Sequence, residues 1–285
     1  MRIIWIADYT IKDYLGGAQI TNLEMITAGE KRGHKIIQIN HKEIDAFKFR
    51  KTDRVVLNNM AILNRDHHDK LMRVILNTRF VRYIHDYDWV YNDMHVSTIS
   101  GMFKKAKGII FLSPLQALIT RDKFVVRDSV IIPSPVDTKK FYNQHQPRKK
   151  NSALYTGEIN THKGINHLYN WALFHPEIQL DLYGWIAHPG LTSLLPHNVK
   201  IIEKLPHADI TQTLNQYEKF VHLPIWREPF GRAAAEAYLC GCKLVTNGKV
   251  GFQSFDWDYK DPKAIADEIA KAPDRFWDYV EEKLA

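Results

Sequence analysis

Short apolar runs alternate with longer amphipathic stretches from the first residues onward. Ile3–Ala7 reads as a buried strand, a loop leads to Gly16-Gly17-Ala18 and a helix reaching about Arg32, Gly33-His34 ends that helix, and Lys35–Ile39 is the next strand of a β-α-β unit. The pattern continues with strands at Val55–Asn58, Val81–His85 and Ile109–Ser113 and helices at Asp66–Leu76 and Ser97–Lys105. A polar run ending at Asn151 marks a boundary. Beyond it come strands at Ala153–Gly157 and Leu180–Trp185, a helix at 207–217 and an apolar run from Phe220 to Ile225. Strand and helix in alternation predict parallel sheets with helices on both faces and ligands outside the carboxyl ends of the strands. Near the end, Phe276, Trp277, Val280 and Leu284 at helical spacing predict a terminal packing helix.

The chemistry concentrates between Leu223 and Gly251, where a strand, a loop, a small-residue helix and a second strand follow one another. Gly231 opens a helix whose first turn, Arg232-Ala233-Ala234-Ala235, puts little side-chain bulk over its exposed N–H groups. Such a helix start can hold a phosphate, because unpaired donors and the positive end of the dipole point the same way. Glu236 falls roughly 7.5 Å along the axis from Gly231. That is about the reach of a nucleoside diphosphate from phosphate to ribose, and a carboxylate accepts two hydrogen bonds from vicinal hydroxyls. Glu236 therefore suits a ribose, and Glu228, on the other side of the phosphate, suits the hydroxyls of a sugar. Lys163, in Asn160-Thr161-His162-Lys163-Gly164 after the Ala153–Gly157 strand, is a mobile charge suited to a departing diphosphate. Gly16 and Gly17 place two residues without side chains at a helix start, where backbone can approach a ligand. The lack of Gly-x-Gly-x-x-Gly argues against a nicotinamide cofactor.

Glu228-Pro229-Phe230-Gly231, then Glu236-Ala237, then Gly241 and Gly251, resemble the C-terminal domain of the family-4 retaining glycosyltransferases of GT-B fold. Val130–Asp137 with Phe141 is similar to the family's turn into its interdomain linker, with Ser134-Pro135 where Asn-Gly is common. The resemblance implies two Rossmann-like α/β domains facing a central cleft, with a C-terminal helix crossing back to the first domain. The expected boundaries are an acceptor-binding domain at 1–140, a linker at 141–151, a nucleotide-sugar domain at 152–272 and the helix at 273–285. It implies transfer of a sugar from a UDP- or GDP-sugar to a hydroxyl with retention of anomeric configuration. His85 would line the sugar and acceptor, with Asp86, Asp88 or Asp93 as candidates to orient an acceptor hydroxyl. Glu228 and Lys163 complete the catalytic set. Gly16, Gly17, Lys163, Phe230, Gly231, Arg232 and Glu236 would bind the donor, Phe230–Arg232 through backbone N–H. The family usually has an Arg where this chain has Glu158, so Arg232 or Arg227 is the candidate replacement. That departure also keeps open a nucleotide-sugar-binding protein without catalysis.

Composition narrows the setting. A chain of 285 residues with 45% apolar content suffices for two domains that each bury a core, and it is short for this fold, implying a trimmed first domain. No apolar run is long enough to span a bilayer, the start has no signal-peptide order, and Cys240 and Cys242 sit too close for a structural bridge. A cytoplasmic protein is expected, with attachment to the inner face of a membrane as an option. No Asp-x-Asp with further ligands appears, so no metal and no cofactor besides the donor are expected. Residues 1–150 hold 26 Lys and Arg against 15 Asp and Glu, whereas residues 151–285 hold 13 against 17. A basic acceptor half draws polyanions. A saccharide or lipid-linked acceptor at an anionic membrane surface is ranked first, because most relatives act on these, and modified DNA bases second.

Overall fold

The computed structural model describes residues 1–13, 16–87, 95–187, 190, 195–202, 205–206 and 208–285. Asp88, Asp93 and the expected helix start at His207 lie outside them. The chain divides into two units, Met1–Pro135 with Lys271–Ala285, and Val136–Ala270. The unit boundary thus falls at Pro135, ahead of the stretch expected as linker, and Lys149–Asn151 of that stretch already open a strand.

The first unit is built on a six-stranded parallel sheet. Its strands are β1 (Arg2–Ile6), β2 (Lys35–Ile39), β3 (Arg54–Leu57), β4 (Arg79–Tyr83), β5 (Gly108–Phe111) and β6 (Ser129–Ile131), in spatial order β2-β1-β3-β4-β5-β6. Its central strands are buried, which is why β1, β3 and β5 read as apolar runs; Ile4, Ile6, Val55, Leu57 and Phe80 are fully buried. The helices are α1 (Gly17–Lys31), α2 (Ala61–Asp66), α3 (His68–Asn77), α4 (Val96–Lys105) and α5 (Pro114–Lys123). The helix expected over Asp66–Leu76 is α3; a separate short helix, α2, precedes it, its start held where the buried Asp8 carboxylate accepts the N–H of Leu63 at 2.9 Å. Helix α5 escaped the periodicity reading, although Ser113 caps it on the N–H of Gln116 and Pro114 occupies its first position.

Helix α10 (Ala272–Leu284) belongs to this first unit. Its Phe276, Trp277, Val280 and Leu284 are buried, and the Trp277 indole donates to the carbonyl of Met25 at 2.7 Å. A Cβ at Gly29 of α1 would stand 2.1 Å from the Trp277 ring, so the close approach of the two helices requires glycine there.

The second unit carries a five-stranded parallel sheet in the order β11-β10-β7-β8-β9. The strands are β7 (Lys149–Thr156), β8 (Gln179–Tyr183), β9 (Val199–Ile202), β10 (Tyr217–His222) and β11 (Lys243–Thr246). The helices are α6 (Ile165–Leu173), α7 (Ile210–Gln216), α8 (Arg232–Leu239) and α9 (Pro262–Ala270), with a 3-10 turn at Gly251–Ser254. Among the described residues, no helix is long and apolar enough to cross a membrane. Cys240 and Cys242 are both buried and unbridged.

Candidate active site

In the second unit the chain winds from β7 outward through β8 and β9, then crosses back to β10 and β11 on the other side. The order therefore reverses between β7 and β10, and in open α/β sheets such a switch point opens a crevice at the carboxyl ends of the strands. The loops leaving these two strands carry Lys163 and Glu228, and they are tied to each other. The carbonyl of His162 accepts the N–H groups of Ile225 and Trp226, both at 3.0 Å, and His167 Nδ1 lies 3.0 Å from the carbonyl of Leu223. Gly164 has φ +83°, and a Cβ on it would meet the Leu223 carbonyl, so glycine is required where the loops cross.

Across that crossing the Lys163 ammonium donates to Glu228 Oε1 at 2.6 Å. The N–H of Lys163 is itself fixed by Asn160 Oδ1 at 2.7 Å. Glu228 is buried and held by backbone: its N–H donates to the carbonyl of Lys249 at 2.7 Å and its carbonyl accepts from Gly251 at 3.0 Å. Burial alone would raise its carboxyl, but the Lys163 charge, with His222 behind it, outweighs that and holds the group at about 2. Glu228 is therefore a firm anion with its oxygens ready to accept hydroxyl hydrogen bonds.

Three residues beyond, Gly231 adopts φ +84° and precedes α8; a Cβ there would stand 2.7 Å from Val250 Cγ1. The left-handed turn swings the chain from the buried Phe230 directly into a helix with no side-chain cap and three alanines near its start. Glu236 lies inside α8, buried, with Arg232 Nε donating to its Oε1 at 2.8 Å. Burial pushes the Glu236 carboxyl up, against the opposing charge of Arg232 and, more weakly, Lys140. The structure thus couples two of the expected donor-binding residues: Arg232 reaches its helix neighbour. Arg227 is exposed, and Glu158 is half-buried with its carbonyl accepting from Tyr155 Oη at 2.9 Å.

In the first unit Gly16 and Gly17 open α1 at the carboxyl end of β1, again without a side-chain cap, and a Cβ on Gly17 would meet nothing within 4 Å. The order of this sheet reverses between β1 and β3, so this loop too stands at a switch point. His85 lies two residues past β4, buried, its ring edge-on to Tyr83 at 4.3 Å and its Nε2 without a hydrogen-bond partner. Burial, aided by the Arg82 charge, lowers its imidazole to about 3, so at neutral pH it is an uncharged ring. A basic hollow of about 460 Å³ opens at the other end of this sheet, where Arg54 and Arg79 begin their strands and Lys51, Lys104, Lys105 and Lys107 gather around them.

His222, the last residue of β10, was not anticipated. It is buried, and its Nε2 sits 3.6 Å from Glu228 Oε1. The signal available was a single imidazole inside the apolar run Phe220–Ile225, at a strand position that ordinarily carries an aliphatic side chain.

Residues 137–272 match the family model described as glycosyl transferases group 1. No curated protein matches the chain. Solved structures match over nearly its full length. The Anabaena Alr3699/HepE protein in complex with UDP and glucose shares 14% identity over 98% of this chain and 92% of its own, with TM-score 0.68. Sucrose-phosphate synthase from Thermosynechococcus elongatus shares 17% over 99% and 91%, TM-score 0.69. An alpha-glucosyltransferase in complex with UDP and a 13-mer DNA containing an HMU base shares 14% over 100% and 94%, TM-score 0.61. The two parallel-sheet α/β units are those of the GT-B fold.

Proposed function

From a group 1 glycosyl transferase match at residues 137–272, set in a GT-B fold, we propose that this protein is a family-4 retaining glycosyltransferase that uses a UDP- or GDP-sugar. The observation that carries this reading is the pairing of Lys163 with Glu228 across the β7/β10 switch point, next to an uncapped α8 that holds Glu236. In this reading the diphosphate oxygens lie on the N–H groups at the start of α8, the ribose hydroxyls reach Glu236, and Glu228 accepts from the sugar hydroxyls. As the acceptor oxygen bonds to the anomeric carbon, the bond from that carbon to the diphosphate breaks, its electron pair leaves with the diphosphate, and the departing diphosphate oxygen takes the proton of the acceptor hydroxyl. Lys163 and the α8 dipole meet that charge as it develops. Gly16, Gly17 and His85 keep the roles the resemblance gives them, backbone approach to phosphate and a place beside the sugar. A neutral His85 acts there by shape and hydrogen bonding.

A saccharide or lipid-linked hydroxyl is the acceptor proposed first. The basic hollow around Arg54, Arg79 and Lys104–Lys107 supports an anionic surface as a docking partner, and bound anionic vesicles would check this. The same charge, with a DNA-bound neighbour of the same fold, favours modified DNA bases as the second reading. Duplex binding with a steep salt dependence would bring that reading forward. The primary test is a thermal-shift panel of UDP-, GDP- and ADP-sugars, since a bound donor raises apparent stability by mass action. It is followed by release of nucleoside diphosphate without acceptor. Binding with no release by any nucleotide sugar would favour the non-catalytic binder.

A further inference from the structure

The use of Lys163 as the diphosphate ligand, on which this inference rests, creates a difficulty at Glu228. In the free protein the buried Glu228 carboxylate has its cation at 2.6 Å. A diphosphate that draws the ammonium toward itself would leave a buried anion with weakened compensation, a costly arrangement. His222 stands where it can answer. Its Nε2 is 3.6 Å from the same Oε1 oxygen that Lys163 holds, and its Nδ1 is buried with no hydrogen-bond partner. Here one nitrogen is aimed at the catalytic carboxylate and the other is left able to take a proton.

We propose that His222 is a positioning residue that takes up a proton from solvent when a nucleoside diphosphate engages Lys163, so that donor binding is proton-coupled and Glu228 stays ionised and in place. In the free protein Nε2 faces Glu228 and Nδ1 has no hydrogen-bond partner. In the complex a proton adds at Nδ1, and the imidazolium replaces the charge that Lys163 has redirected. Four titratable groups face this imidazole or stand just behind: Glu228 and Lys163 from the two loops, Tyr155 of β7 stacked on it at 5.7 Å, and Glu158 acting on Tyr155. Tyr155 is pushed well above its ordinary range by burial first and the two glutamates second, so it stays protonated and cannot supply the charge. Opposite His222 on β11 is Thr246, which does not titrate.

Titration calorimetry of the full chain with UDP, repeated in buffers of different ionisation enthalpy at pH 7.5, counts the protons exchanged. GDP and ADP serve as alternative probes. The wild type should take up a larger number of protons than His222→Gln, which keeps a hydrogen-bond donor but cannot titrate there. The affinity of the wild type should fall with rising pH by up to about tenfold per pH unit, the linkage limit for one proton, and the slope should flatten in His222→Gln. A merely structural histidine would shift affinity in His222→Gln without changing the proton count. Lys163→Ala provides a second route that leaves His222 intact: there His222 should already hold its proton in the free protein, with its imidazole titration moved to higher pH by NMR. Equal proton counts in wild type and His222→Gln, or an unmoved His222 titration in Lys163→Ala, overturn the proposal while leaving the nucleotide reading standing. No binding of UDP, GDP or ADP sinks that reading and the proposal with it.

Discussion

Removing Lys163 tests whether the site is a coupled charge pair or two neighbouring surface groups. In Lys163→Ala the Glu228 carboxylate keeps its burial and loses its nearest cation. Holding that carboxyl at about 2 in place of its ordinary 4.5 corresponds to about 3 kcal/mol, at about 1.4 kcal/mol per pH unit. The Lys163 side chain is 34% exposed, and solvent screening brings the expectation down to roughly 2 kcal/mol. Because the folded carboxyl titrates below the unfolded one, this stability is fully present above about pH 4.5 and is lost as pH falls toward 2. The deficit of Lys163→Ala should therefore be full at pH 7 and shrink as the carboxyl of the variant protonates. The assay is urea denaturation of wild type, Lys163→Ala, Glu228→Gln and the double variant at pH 7 and pH 4. A coupling of roughly 2 kcal/mol is expected at pH 7, because Lys163→Ala alone takes the nearest cation from the buried Glu228 carboxylate and the double change leaves no carboxylate to lose it. Additive single effects, or a Lys163→Ala deficit that is the same at both pH values, would refute the reasoning.

Other elements make separate predictions. Gly231→Ala forces a side chain onto a residue at φ +84° with Val250 2.7 Å away; it should lower stability by about 1–3 kcal/mol and weaken UDP binding, read by thermal melts with and without nucleotide. Glu236→Gln should raise the KM for the donor at least tenfold with a smaller effect on Glu228-dependent chemistry, read by steady-state kinetics; unchanged kinetics would remove Glu236 from the ribose. His85 has its folded titration near 3, below its ordinary 6.5. The unfolded chain therefore binds the proton first, and stability should fall as pH drops from 6.5 toward 3, by up to about 1.4 kcal/mol per unit. His85→Gln should flatten that slope in denaturation measured across the range.

Much of this architecture could be read from the chain before its structure was known. Strands buried on both faces produce apolar runs, so β1 and β3 stood out, and the glycines at 231 and 164 mark turns that no other residue fills without strain. Helix α5 and strand β9 were missed because the first is announced by a cap more than by a periodic stripe and the second is four residues long. Helix α2 was hidden for a different reason: its start depends on Asp8, some fifty positions away, and no local pattern encodes that. The Lys163–Glu228 pair likewise joins residues 65 apart in sequence. Motif spacing named both residues, but only the adjacency of β7 and β10 makes them partners. Arg232 reaches Glu236 one helical turn away, a contact the four-residue spacing could have suggested.

The central claim is that the start of α8 grips a diphosphate, with Glu236 and Glu228 on either side of it. Crystals soaked with UDP, and with GDP in parallel, test it most directly. The diphosphate should sit on the backbone N–H groups following Gly231, with the Lys163 ammonium turned toward it and the ribose hydroxyls on Glu236. A nucleotide bound anywhere else in the chain would contradict the account.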